Sequence, residues 1–259
     1  MLTVISPAKT LDFNSNCRCH SFTRPSFLTQ SRELVSVLKT KSVEEIQSLM
    51  SLSDSLASLN AKRYRKWKAP QKLGDNARPA AYAFQGDVYQ GLEFASLDSG
   101  NQEYAQERLR ILSGLYGALR PLDLIMPHRL EMGTALVNKK GRSLYAFWDE
   151  TQTRFLNKEA RRTGSRHLLN LASEEYFKSV KTKKLKLRVT TPRFLDSNDG
   201  VRFKVMSYYA KRARGLMARW VIKNRIDDPD SLTDFNEDGY QYDNTRSESD
   251  RPAFVRSHN

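Results

Sequence analysis

The sequence predicts a mixed α/β protein, a mixed sheet flanked by helices, and three observations carry that expectation. Short apolar runs at residues 2–5 (LTVI) and 167–171 (HLLNL) read as buried strands. Residues 27–67 show repeated helical periodicity, and residues 210–225 (AKRARGLMARWVIKNR) form a longer amphipathic pattern. At 259 residues the chain is long enough for one large domain or two small ones, with a substantial core in either case.

Taken in order, the first strand ends at Ser6-Pro7, which places Lys9 and Thr10 at a strand end, where α/β proteins often bind ligands. Leu28, Leu34, Val37 and Leu38 share one helix face. Ser42 and Glu45 have the spacing of a capping box, and Ser53 is placed to cap a third helix ending in the basic, aromatic-interleaved KRYRKWK. Residues 86–92 (GDVYQGL) read as a shaped loop. Asn101 is placed to cap a helix carrying Tyr104, Leu109 and Leu112. Residues 129–133 alternate like a strand, and residues 144–155 read as helix. Ser173 is a suitable helix cap after the second buried strand. Residues 185–195 and 201–209 are β-rich and are separated by the hairpin signal Ser197-Asn198-Asp199-Gly200. Residues 244–259 offer little to bury, and a loose tail from about residue 243 is expected.

Charge is the strongest bulk feature. The net charge is +14, and residues 154–225 hold 20 Lys/Arg against 5 Asp/Glu. Residues 226–259 reverse the balance, with 9 acids and 3 bases. Clustered positive charge is an electrostatic footprint for a polyanion. On the 210–225 helix, Lys211, Arg212, Arg214, Arg219, Lys223 and Arg225 fall opposite Ala213, Leu216, Met217, Trp220 and Val221. A face of six positive charges with no acid favours phosphate contact over simple solvation. Lys178 and Lys181 add to the same block.

Other classes find less support. No apolar run approaches the ~20 residues of a membrane span, and no signal peptide is apparent, so a cytoplasmic protein is expected. Cys17 and Cys19 stand too close for an unstrained disulfide, and with His20 they fall short of a four-ligand zinc site, so no metal is expected. His20, His128, His167 and His258 are scattered, which argues against bound iron. No P-loop or dinucleotide motif suggests a cofactor.

Residues 108–133 (RLRILSGLYGALRPLDLIMPHRLEMG) read as two helices broken by Gly114 and Gly117. The apolar-x-Gly-apolar-x-Gly pattern resembles a helix-hairpin-helix, whose glycine amides hold nucleic-acid backbone. Gly114, Leu115 and Gly117 would form that turn, with Arg108, Arg110 and Arg120 beside it. Plain helix punctuation is the alternative.

Several strings together resemble the bacterial YaaA peroxide-stress proteins: ISPAKTL at 5–11, GDVYQGL at 86–92, LSGLYGALRPLDLI at 112–125, RLEMGT at 129–134, NLASEEYFKSV at 170–180 and YYAKRARGLMARW at 208–220. The likeness spans residues 1–242. It implies a single domain of a fold peculiar to the family, a helix-hairpin-helix and a basic cleft. It also implies DNA binding, peroxide resistance and a lower pool of free iron. His128 and Trp220 depart from the aromatic Tyr and Phe more usual at those positions.

The leading expectation is a monomeric DNA-binding protein with little sequence specificity, since no zinc finger, basic zipper or major-groove recognition helix appears. The alternative is an enzyme acting on a phosphate- or nucleotide-containing substrate, with Asp87 or Glu131 as base and Lys9 and Arg129 holding an anion. Convergence of those four residues in one cleft would favour it.

Overall fold

The structure is a computed structural model and describes residues 1–15, 19, 21–74 and 76–258. Of the Cys17, Cys19 and His20 group weighed above as metal ligands, Cys17 and His20 lie outside the described residues, and Cys19 is half-buried. The principal strands are β1 (Leu2–Ile5), β2 (Leu109–Ser113), β3 (Gly117–Leu119), β4 (His167–Leu171) and β5 (Arg188–Thr190). A second group comprises β6 (Arg193–Ser197), β7 (Gln241–Glu248) and β8 (Arg251–Ser257). Apart from two single-turn helices, Ala80–Ala83 and Glu174–Phe177, the helices are α1 (Leu28–Lys39), α2 (Val43–Met50), α3 (Asp54–Lys66), α4 (Asp87–Leu92) and α5 (Ser99–Arg108). They continue as α6 (Leu144–Trp148), α7 (Thr151–Thr163) and α8 (Ser207–Asn224).

The main sheet has the order β3-β2-β1-β4-β5. β1 lies at its centre, parallel to β2 (Ile5 opposite Ile111) and to β4 (Val4 opposite Asn170), and β4 is parallel to β5. Burial on both faces explains why β1 is a continuous apolar run with no alternation. The smaller sheet, β6-β8-β7, pairs β6 parallel to β8 and β7 antiparallel to it. The mixed α/β class is therefore as expected.

Local chemistry places several helices as read. Ser42 Oγ accepts from the Glu45 amide at 3.2 Å while Glu45 accepts from the Ser42 amide at 2.8 Å, a complete capping box. Ser53 and Ser173 stand at N-cap positions without making the side-chain cap bond. α5 is capped by Asp98, not Asn101, and ends at Arg108, so Leu109 and Leu112 belong to a strand. Residues 129–133 form no strand, and the helix expected over 144–155 breaks at Asp149, whose φ is +40°.

GDVYQGL is helical: it is α4, and it crosses α8 at very close range. A Cβ on Gly91 would lie 2.2 Å from the Arg212 carbonyl oxygen, and one on Gly215 would lie 1.9 Å from that of Val88. These glycines are needed for backbone approach, not for a loop. After β6, the Ser197–Gly200 turn forms as expected, with Asp199 accepting from the amides of Val201 and Arg202. The returning strand is reduced to one bridge between Asp196 and Lys204, and α8 begins at Ser207.

Two expectations are overturned. The 108–133 stretch holds no helix-hairpin-helix: β2 and β3 form a buried antiparallel hairpin, Ser113 facing Gly117. The carbonyl of Gly114 accepts from Trp148 Nε1 at 2.8 Å, and that of Gly117 accepts from Gln152 Nε2 at 2.9 Å. Gly114, Leu115 and Gly117 are all buried, so their amides cannot meet a phosphate. The C-terminal segment is no loose tail either. Phe254 of β8 is fully buried against Phe194, Phe235 and Tyr242, aromatic area that outweighs the polar residues around it.

Candidate functional site

β2, β1, β4 and β5 run in parallel and end on one edge of the main sheet, which brings residues 6, 114, 172 and 191 to the same side of the molecule. Open parallel sheets bind ligands at this edge. Two groups of polar side chains gather there.

The first surrounds the end of β1. Lys9 Nζ lies 2.7 Å from one oxygen of Glu131, and Arg129 donates to the other at 3.0 and 3.2 Å. The Glu131 side chain is 22% exposed, so the pair of cations holds a half-buried carboxylate. Ser6 Oγ accepts from the Ser173 amide at 2.8 Å, and Tyr89 donates to the Ser6 carbonyl at 3.0 Å. Glu175 accepts from the Gly133 amide at 2.8 Å. Burial pushes the phenols of Tyr89 and Tyr176 up, and the nearby Glu175 and Glu131 add to the effect on Tyr176, so both remain neutral hydrogen-bond donors. Lys9, Arg129 and Glu131 thus meet in one ion-pair cluster, whereas the enzyme reading asked for all four residues in one cleft. Asp87 does not join them: it opens α4 and makes no hydrogen bond or ion pair among the described residues.

The second group lines a cleft of about 1170 Å³ beyond the ends of β4 and β5. Lys178, Lys181 and Arg214 reach it, together with Lys183, Arg193 and Arg251. The acids present are Asp149, Glu150 and Glu174, and Glu150 is already paired with Lys184 and Arg154. Arg214 is half-buried and has no ion-pair or hydrogen-bond partner among the described residues, and burial alone pulls its guanidinium down. A partly desolvated cation without a counter-charge is costly, and an anion entering the cleft would relieve that cost.

The remaining basic residues do other things. Arg110 is 0% exposed; it forms an ion pair with Glu159 and donates to the carbonyls of Gln106 and Leu109, so it is a core residue that cannot reach DNA. Arg120 is half-buried on the turn whose amide donates to Asp123. Arg212 pairs with Asp238 at 2.6 Å, and Arg219 donates to the carbonyls of Leu92 and Glu93 at the end of α4. Of the α8 basic face, only Arg214 lines the cleft, while Lys211 is exposed. The predicted continuous basic face is split because the acidic 227–238 segment folds against one side of it.

Sequence reasoning missed a second basic groove, of about 720 Å³, formed where α1 meets the chain after α3. Arg24, Arg32, Lys39, Lys68 and Lys72 line it, with Trp67 and Met126 and no carboxylate among the described residues of the wall. Arg24 and Arg32 lie far apart from the KRYRKWK run in sequence, so only the fold gathers them. The run itself offered half of the signal.

A family profile described as "Peroxide stress protein YaaA" matches residues 1–246. The chain belongs to that family. A UPF0246 protein of Hahella chejuensis is 51% identical over 258 residues, covering all of both chains. A UPF0246 protein of Chromobacterium violaceum is 51% identical over 248 residues, 96% of each chain. One from Alteromonas mediterranea is 49% identical over 257 residues, covering 99% of this chain and 98% of its own. The matched residues run into β7 and include Lys9, Arg129 and Glu131 as well as Lys178, Lys181 and Arg214.

Proposed function

We propose that this YaaA-family protein binds DNA through backbone phosphates, with little sequence specificity, in the cleft lined by Lys178, Lys181 and Arg214. One observation carries the reading: Arg214 is a half-buried guanidinium without a partner among the described residues, in a cleft with more cations than acids. Phosphate oxygens are the natural partners for such a group. The groove of Arg24 and Arg32 extends the electrostatic footprint. In peroxide stress, occupancy of DNA by such a protein would act at the target of damage, and a lower free-iron pool would follow indirectly.

The test is anisotropy of a labelled duplex titrated with protein at several salt concentrations. Log affinity is expected to fall with log salt at about 0.9 per neutralised phosphate, with unrelated sequences agreeing within about tenfold. Arg214→Gln should weaken binding about tenfold for every duplex while leaving the far-ultraviolet spectrum unchanged. A flat salt response, or wild-type affinity in a folded Arg214→Gln, would remove the cleft from consideration.

A second reading, chemistry on a phosphate-containing substrate, is favoured by the contact of Lys9, Arg129 and Glu131 at the sheet edge. Both Glu131 oxygens already hold a cation, which leaves neither free to reach a substrate proton, so this reading stands second.

A further inference from the structure

The cleft beyond β4 and β5 contains more than a phosphate track requires. Its cations lie beside walls built from Phe177, Val180, Pro192, Phe194, Val205 and Ala210. At its base sits Asn170, only 5% exposed, at the end of β4. Its carboxamide oxygen accepts from the Ala172 amide at 3.1 Å, and its nitrogen donates to Thr191 Oγ at 3.3 Å. Those two bonds fix the orientation of the carboxamide. They leave one N–H and one lone pair of Asn170, and the hydroxyl proton of Thr191, uncommitted among the described residues.

A sugar-phosphate backbone uses cations and has no need of a buried amide next to aromatic and aliphatic walls. A heteroaromatic base does: it has apolar faces and an edge that both donates and accepts. The volume of about 1170 Å³ is a little above the usual range of small-ligand sites and far larger than one phosphate requires. The C-terminal edge of a parallel sheet is where such ligands are held in other α/β folds.

We propose that this cleft takes a single nucleotide, its base against the Phe177–Pro192 walls and the Asn170–Thr191 pair, its phosphate on Arg214, Lys178 and Lys181. The inference rests on the reading of the cleft as an anion site but does not require that duplex DNA bind there. The nucleotide unit is either free in solution or the unpaired end of a strand, and the recognition chemistry is the same.

Calorimetry on the full-length protein tests it, with the four 5′-ribonucleoside monophosphates, ribose 5-phosphate and inorganic phosphate as probes. At least one nucleotide should bind ten times more tightly than ribose 5-phosphate. Thr191→Val and Asn170→Asp should each weaken that nucleotide at least fivefold while changing duplex affinity less than twofold. Two variants are used because Asn170 also supports the Ala172 amide, and Thr191→Val leaves that bond intact. A duplex with a one-nucleotide overhang, compared with its blunt form, separates the sources: a fivefold preference assigns the nucleotide to strand ends, and equal affinity assigns it to the free pool. Nucleotides binding no better than ribose 5-phosphate would overturn the proposal, and normal duplex binding in that case would leave the DNA reading standing. Nucleotide binding without duplex binding would do the reverse.

Discussion

Two buried groups, Asp123 and His128, should make stability depend on pH in opposite directions and so hide each other in the native protein. Asp123 is 1% exposed; it accepts from Thr23 Oγ at 2.6 Å and from the Arg120 amide at 2.8 Å, yet burial still pushes its carboxyl up to about 6. His128 is 6% exposed, with Nδ1 2.8 Å from the Met126 carbonyl, and burial pulls its imidazole down to about 4. Between pH 4 and 6 the folded state keeps a proton on Asp123 that the unfolded chain releases. That contribution is present at low pH and is lost as pH rises through 6, a change of about 3 kcal/mol. Over nearly the same window the unfolded chain protonates His128 while the folded state does not. That contribution is present above 6.5 and is lost as pH falls through 4, also about 3 kcal/mol. The two slopes cancel where they overlap. Urea unfolding at pH 4, 5, 6 and 7, for wild type, Asp123→Asn and His128→Gln, exposes them. Relative to wild type, Asp123→Asn should gain about 2 kcal/mol as pH rises from 4 to 6, and His128→Gln should lose about 2 kcal/mol, the rest of each change falling outside that window. Difference profiles that are flat with pH would refute the assignment of either group as a buried titrating site.

Other outcomes follow from the packing. Arg212→Ala should change duplex affinity less than twofold and cost no more than about 1 kcal/mol in thermal or urea melts, since its charge is spent on a half-exposed pair with Asp238. Gly215→Ala should destabilise by about 3 kcal/mol or prevent folding, because the added methyl meets the Val88 carbonyl at the α4–α8 crossing; expression and melting temperature report it. Gly164→Ala, at φ +66° but with open space around it, should cost only about 1 kcal/mol in the same melts.

The parts of the fold that could be read in sequence are those whose signal is local. β1 and β4 are apolar runs, α2 has its capping box, and α8 has an amphipathic period, and each was placed within a few residues. The 108–119 segment was misread because a fully buried strand and a buried helix have the same apolar character, and no periodicity separates them. Gly114 and Gly117 then looked like a helix break, whereas Gly117, at φ +71°, opens the second strand of a hairpin. The last strands were misread because their alternation is irregular and only Ala253 and Phe254 are deeply buried. At the candidate site, Lys178, Lys181 and Arg214 were found through the charge block. Asn170 and Thr191 carried no signal of their own, since their meeting depends on β4 and β5 lying side by side.

Both sheets are completed by strands distant in sequence. β1, residues 2–5, is the middle strand of the main sheet, and its neighbour β4 is not synthesised until residue 171. β8, residues 251–257, is the middle strand of the smaller sheet. On the ribosome, then, the nascent chain exposes an unpaired apolar β1 while more than half of the protein is still to be made. The aromatic face of β6 waits for almost all of it. Such non-local pairing slows folding and leaves strand edges open to other chains. A cell making this protein would depend on keeping that strand apart from other chains until β2 and β4 have emerged to pair with it.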